Sequence, residues 1–420
     1  MKEITVGSDF SGVGAFDVAI GQLAEEKGFK VRNVFACDLD KHARVTYLAN
    51  HEAPGYYPED VYDRPIPEES LDIYMTSPPC QSFSLAGKRK GKDDDRGILF
   101  FNSLEFIKKN KPRYFIFENV KGLLSDDGGK TFEEWTCLLG GQSINGTMNF
   151  FPHEDSVPYH LYYKVLNTKE HGIPQNRERV FLIGIRDDED NYFSFPAIES
   201  LNKALKDVLE ENVDEKYFLS DKAVSGLLAH KQRNKENGNG FGATISDEDA
   251  VSQTIRARYY KDGSDQLLKV DKPSLKIKNA NSKGYDEATQ GDQGDSINLQ
   301  QPNSETRRGR VGHGVAQTLD TGCSQGVCIP VLTPDRAKKR QNGRRFKEDG
   351  DPSFTLTTQD QHGIYDGIRI RRLTPRECFR LQAFPDSFVI DVVSDTQAYK
   401  QAGNSITTRV LKKIINNLNL

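Results

Sequence analysis

The 420-residue chain holds one tryptophan, three methionines and eight histidines, and its six cysteines, at 37, 80, 137, 323, 328 and 378, include no Cys-x-x-Cys pair. That spacing, with so little histidine, argues against a zinc site and against a disulfide framework, so no metal is expected. No stretch approaches the roughly 20 apolar residues that cross a bilayer, and no membrane partner is expected. The opening residues MKEITVGSDFSG lack the apolar run and small-residue cleavage site of a secretory signal, and the expected location is cytoplasmic. An excess of one charge is also missing. Lys and Arg number 57 against 61 Asp and Glu, a net of -4, which by itself favours no polyanionic partner. The charge is uneven, however: Arg336 to Lys347, RAKKRQNGRRFK, carries seven cations and no acid. Such a run is either a solvated loop or a footprint for phosphates.

What the chain does have is length enough for two or three domains and a composition, 36% hydrophobic and 28% charged, that suits a folded core. Its first 186 residues alternate β-rich runs with helical patterns, the mark of an α/β fold on a mainly parallel sheet. Strands are predicted at 4–7, 31–37, 71–76, 113–117 and 180–184, with a further strand closing at Asp60. Helices are predicted at 15–25, 41–50 and 99–108. Residues 138–158 interrupt the rhythm as a surface insertion longer than the usual connection. After Arg186 the composition shifts toward Asn, Gly, Gln, Lys and Asp, which predicts a separate, smaller domain. Three Thr-centred pieces, beginning at Val251, Val315 and Pro352, suggest a repeated strand and turn there. One helical pattern, 395–417, closes the chain and is expected to return to the first domain.

Chemistry-bearing residues gather at predicted strand ends, where open α/β sheets bind their ligands. Asp9-Phe-Ser-Gly-Val-Gly-Ala-Phe16 follows one strand and opens a helix, so Gly12 and Gly14 could let a nucleotide-like ligand approach the backbone. Asp38 ends the next strand at the usual place of a ribose-binding carboxylate. Cys80 stands on a Pro-Pro turn within Ser77-Pro-Pro-Cys-Gln-Ser-Phe-Ser84, a presentation suited to a nucleophile rather than to inert packing. Glu118 leaves the apolar run Tyr-Phe-Ile-Phe, where burial would raise its pKa and let it donate a proton. Arg177 and Arg179, two apart on an extended segment, can face one side, as a surface ion-pair ladder or as catalytic cations.

Taken in order, Pro79-Cys80-Gln81, Asp95-Arg96-Gly97, Glu118-Asn119-Val120, Gln175-Asn-Arg177-Glu-Arg179, Arg372-Leu-Thr-Pro-Arg-Glu-Cys-Phe-Arg-Leu-Gln382 and Gln401-Ala-Gly403-Asn404-Ser405 give a sequence that resembles the cytosine carbon-5 DNA methyltransferase family. The resemblance covers about 4–186 and 369–420. Two positions depart from it: the family's Asp-Leu-Phe is Ser8-Asp9-Phe10 here, and its ribose-binding Glu is Asp38.

The resemblance implies a Rossmann-like S-adenosylmethionine-dependent methyltransferase domain, 1–186 with 394–420, and a target-recognition domain, 187–393, whose hinge motif lies at 369–388. It implies Cys80 as nucleophile toward cytosine carbon 6, Glu118 as the acid at ring nitrogen 3, and Arg177 and Arg179 at the cytosine carbonyl or behind Glu118. For S-adenosylmethionine it implies Phe10, Gly12, Gly14, Asp38, Leu39, Asp60, Val61, Pro79, Leu99, Asn404 and Ile406. The partner implied is double-stranded DNA with its base flipped out, and Gln81 to Asp95, basic and glycine-hinged, would close over it. A monomer is expected, in a cell with or without a cognate restriction endonuclease. A tRNA cytosine methyltransferase shares these motifs but lacks a large recognition region, and an inactive DNA-binding relative would have lost Cys80 or Glu118.

Overall fold

The computed structural model describes residues 1–78, 98–240, 242–271 and 368–420, with only short strand pairs between the last two stretches. Pro79, Cys80, the loop 81–95, the repeats from Val315 and Pro352 and the basic run 336–347 lie outside the described residues. The chain divides into two compact units, Met1–Val213 with Ser246–Gln266 and Leu373–Leu420, and Asp214–Ile245 with Leu267–Arg372.

The first unit is built on alternating elements: β1 (Glu3–Asp9), α1 (Ala15–Lys27), β2 (Lys30–Cys37), α2 (Lys41–Asn50), β3 (Ile73–Thr76), α3 (Ile98–Asn110) and β4 (Tyr114–Val120). There follow α4 (Lys130–Leu139), β5 (Ser143–Ile144), β6 (Thr147–Met148), β7 (Tyr159–Asn167), β8 (Gln175–Asn176) and β9 (Glu178–Arg186). Eight strands form one sheet in the order β2-β1-β3-β4-β9-β7-β5-β6. The first four pair in parallel, as the alternation predicts, whereas β9 joins β4 and β7 antiparallel. Parallel strands are covered on both faces, which is why β4 is an unbroken buried run from Tyr114 to Asn119. On one face Phe100 stacks at 4.0 Å on Trp135, the single tryptophan, with Phe117 beside them. Chain order reverses between β1 and β3, so this architecture places a ligand crevice at their carboxyl ends.

Several expectations need correction. Asp60 ends no strand: residues 57–72 carry no regular element, and the Asp60 carboxylate instead accepts the Tyr62 N–H at 3.0 Å in a turn. The insertion is a hairpin at the sheet edge, turned by Asn145-Gly146 with φ of 47° and 80°, the backbone demanded by a two-residue hairpin loop. The long strand β7 was not foreseen. The segment from Val251 has only the two-residue strand β11 (Ser252–Gln253), paired with β8, followed by a short 3-10 turn. The closing pattern, expected as one helix, is two, α7 (Asp395–Asn404) and α8 (Thr408–Asn416), separated at residues 405–407; α8 packs on α1.

Residues 187–213, 246–266 and 373–393, read from the sequence as part of the recognition domain, belong to the first unit. Ile255, Tyr259, Leu373 and Phe379 are buried there, and Tyr259 Oη accepts the Leu373 N–H at 2.8 Å while Tyr399 Oη donates to the Leu373 carbonyl at 2.6 Å. Helix α6 (Pro375–Arg380) starts with a capping box of Thr374 and Glu377.

The second unit contains α5 (Asp221–Glu236), capped by Ser220, and β12 (Leu267–Asp271) paired antiparallel with the strand Ile368–Arg372; the short strand β10 (Ile245–Ser246) falls where the chain passes between the two units.

Candidate active site

The glycine turn after β1 has three residues with left-handed backbone, Phe10 at φ 56°, Gly12 at 56° and Gly14 at 85°. The two glycines serve different neighbours. A Cβ on Gly14 would lie 2.2 Å from His51 Nε2, which bonds the Val13 carbonyl at 3.1 Å, so Gly14 is bare because a histidine packs on it. A Cβ on Gly12 would meet no atom within 4 Å among the described residues. Gly12 is therefore the glycine that faces open space. Its N–H donates to Asp38 Oδ2 at 2.7 Å, and the Asp40 N–H donates to Oδ1 at 2.8 Å, which orients the carboxylate at the end of β2. Burial raises the pKa of Asp38, and the two backbone donors oppose that rise.

Around this turn, Phe10, Val61 and Leu99 belong to one apolar cluster, while Leu39 stands 75% exposed. Open space before Gly12, an oriented carboxylate and an unpartnered apolar side chain beside it fit a nucleoside with ribose hydroxyls and a flat base. Helix α7 is tied to the same region by Lys400 to Asp40 at 3.3 Å and by Thr46 to Gln401 at 3.1 Å. Its end presents Asn404 exposed and leads to Ile406, which is buried.

The acid stands two strands away. Glu118 is 7% exposed, and its partner Arg179 approaches Oε1 at 3.1 Å. Strand register explains the pair: Glu118 lies opposite Phe181 on β9, so Arg179 is its diagonal neighbour on the same face. Desolvation raises the Glu118 pKa, with Arg179 and then Arg177 opposing, which agrees with the rise expected from its apolar strand. The next residue, Asn119, donates to the Pro78 carbonyl at 3.4 Å. Pro78 is the last described residue before Cys80 in the chain.

Arg177 differs from Arg179. It is 2% exposed, and its guanidinium donates to the carbonyls of Ile255 at 3.0 Å, Gly403 at 3.1 Å and Ser405 at 2.6 Å. It therefore holds the backbone that carries Asn404, and only Arg179 of the pair bonds the acid. Sequence reading could not separate them, because alternation puts both on one face without saying what that face meets.

Sequence reading also left Asp9 without a role. The structure buries it, with Arg64 Nε at 2.8 Å and Tyr74 Oη at 2.6 Å from its carboxylate. No signal short of the fold pairs positions 9 and 64. A cleft of about 590 Å³ in the same unit, lined by residues including Pro174, Arg380, Phe384 and Lys412, contains none of the candidate residues. Among the described residues no group of His, Cys, Asp or Glu could hold a metal, and no helix is long and apolar enough to cross a membrane.

The family model for C-5 cytosine-specific DNA methylase matches residues 4–419. An orphan methyltransferase, M.SPRI, of Bacillus phage SPR is 33% identical over 100% of this chain and 98% of its own length. The type II methyltransferase M1.ScrFI of Lactococcus lactis subsp. cremoris is 30% identical over 96% of this chain and 75% of its own. Among solved structures, the methyltransferase EhMeth of Entamoeba histolytica aligns with a TM-score of 0.58 at 16% identity, covering 99% of this chain and 98% of that one. That likeness is one of fold.

Proposed function

The chain belongs to the C-5 cytosine-specific DNA methylase family, and from that premise we propose that it methylates carbon 5 of one cytosine within a specific duplex DNA sequence, after turning the base out of the helix. The observation that carries this reading is the buried Glu118–Arg179 pair beside Asn119, whose side chain bonds the backbone leading to Cys80. A cytosine inside a duplex hides both ring faces in the stack, so the base has to leave it before any side chain can attack.

Carbon 5 is too weak a nucleophile to accept a methyl group unaided. Cys80 Sγ adds to carbon 6, and Glu118, whose pKa burial raises, gives a hydrogen to ring nitrogen 3 as charge develops there. Arg179 holds the Glu118 carboxyl in place through the transfer. S-adenosylmethionine, when bound, supplies an electrophilic methyl group, and carbon 5 takes it. Loss of the carbon 5 proton, departure of the Cys80 thiolate and return of the nitrogen 3 proton to Glu118 restore the aromatic ring and the acid. Phe10, Gly12, Asp38, Leu39, Asp60, Val61, Pro79, Leu99, Asn404 and Ile406 would hold the methyl donor. Gly14 and Arg177 act by supporting that site. The second unit, with the basic run 336–347, would choose the target sequence.

The test is bisulfite mapping of DNA from a host expressing the protein, beside the same host expressing Cys80→Ala. Methylated cytosines confined to one sequence context, absent with the variant, are the expected result. Carbon-5 methylation found by the same mapping in the host's tRNA and not in its DNA, or methylation that survives Cys80→Ala, would overturn it.

A further inference from the structure

Residues 57–72 form a long connection with no helix or strand of its own. Such segments inside a compact unit need specific anchors if they are to present side chains reproducibly. The inner anchor here is Arg64, whose side chain is 2% exposed against 0% for Asp9. Its Nε donates to Asp9 Oδ1 at 2.8 Å and to Oδ2 at 3.0 Å, and Tyr74 Oη donates to the same carboxylate at 2.6 Å. The guanidinium lies over the Phe106 ring, 4.4 Å from its centroid. Its Nη2 donates to Asn102 Oδ1 at 3.0 Å, and the Asn102 amide in turn donates to the Val61 carbonyl at 3.2 Å. A continuous chain of bonds thus runs from the end of β1, through Arg64 and a side chain on α3, back to the loop beside Asp60.

A buried ion pair of this kind adds little net stability, since desolvation offsets most of its attraction. What it does supply is one defined geometry. Any other position of the loop would leave a guanidinium and a carboxylate buried without partners, at a large penalty. We infer that Arg64 and Asn102 are positioning residues of the methyl-donor site, setting where the Val61 backbone and its neighbour Asp60 stand. The inference rests on the assignment of Asp60 and Val61 to that site.

Two variants test it by calorimetric titration with S-adenosylmethionine, alongside thermal unfolding without ligand. Asn102→Asp still accepts from Arg64 but cannot donate to the Val61 carbonyl. Asp9→Leu/Arg64→Met replaces the ion pair with apolar side chains of similar size, a change that commonly preserves stability. Both should raise the Kd for S-adenosylmethionine by about tenfold with Tm maintained. At saturating donor, kcat should stay within about twofold of wild type, because neither variant touches the base. If the double variant does not fold, Asn102→Asp decides alone. Wild-type protein that binds the donor while Asn102→Asp binds it equally well would overturn the inference and leave the site assignment standing. Wild-type protein that does not bind S-adenosylmethionine would overturn both.

Discussion

Glu118 shows how a single residue's setting becomes chemistry. Its carboxyl is buried at the end of an apolar strand with one cation beside it, and burial outweighs that cation in raising the pKa. Glu118→Gln keeps a donor but removes the transferable proton, so kcat should fall about 100-fold or more while S-adenosylmethionine affinity changes less than about twofold. Steady-state kinetics showing the opposite split would refute the role. Linkage provides a second check. The folded pKa lies above the ordinary 4.5, so the folded protein holds this proton more tightly than the unfolded chain. The resulting stability is present below about pH 4.5 and is lost as pH rises through the folded value. Tm of wild type relative to Glu118→Gln should therefore decline as pH rises above 4.5. His171 has the reverse sign: both ring nitrogens are buried without hydrogen-bond partners among the described residues, and burial lowers its pKa from 6.5 to about 4. Its stability is present above about pH 6.5 and is lost as pH falls through 4. Wild type should lose Tm relative to His171→Leu over that window, measured by scanning calorimetry.

At the scale of elements, the turn between β1 and α1 divides two jobs between two glycines of similar backbone. Gly14→Ala forces a Cβ onto His51 and into a left-handed φ of 85°, so stability should drop and S-adenosylmethionine affinity should drop with it. Gly12→Ala meets only the backbone strain, on the order of 1 kcal/mol, yet fills the space before the turn. Its Tm should fall less than that of Gly14→Ala, while its loss of donor affinity should be the larger of the two. Parallel titration and melting of both variants checks the ordering; equal effects on affinity and Tm in the two would show that both glycines only pack. The hairpin at Asn145-Gly146 makes a related point about elements. Its signature stood in the sequence, but two-residue strands leave too short an alternating pattern to register beside the loop-like composition around them.

For the whole molecule, the division into two compact units says where the proposed separation of recognition from chemistry can be tested. Ser252, Ile255, Tyr259, Leu373 and Phe379 are buried in the first unit, and Arg177 bonds the Ile255 carbonyl there. Exchanging residues 267–372 for the corresponding region of a relative with a different target should give a folded enzyme with that relative's sequence preference. Exchanging 187–393 removes buried side chains and the acceptor of Arg177, and should yield an unstable or inactive product. Bisulfite mapping and Tm measurements on the two chimaeras separate these outcomes. A folded, active product from the wider exchange would mean that the segments 187–213, 246–266 and 373–393 are interchangeable parts of recognition.

The sequence by itself determined the family, through motifs whose order is independent of geometry, and the parallel half of the sheet, because strands covered on both faces read as continuous apolar runs. It also determined that Glu118 would be buried and its pKa raised, since Tyr-Phe-Ile-Phe leads directly into it. Tertiary structure alone decided which arginine meets the acid. Arg177 and Arg179 alternate identically along the chain, and only the packing of 255 and 403–405 against one of them distinguishes the two. Structure alone also gave Asp9 its partner, 55 positions away, and removed Asp60 from a strand. Contacts between residues far apart in sequence depend on how elements pack, and no local period encodes that packing.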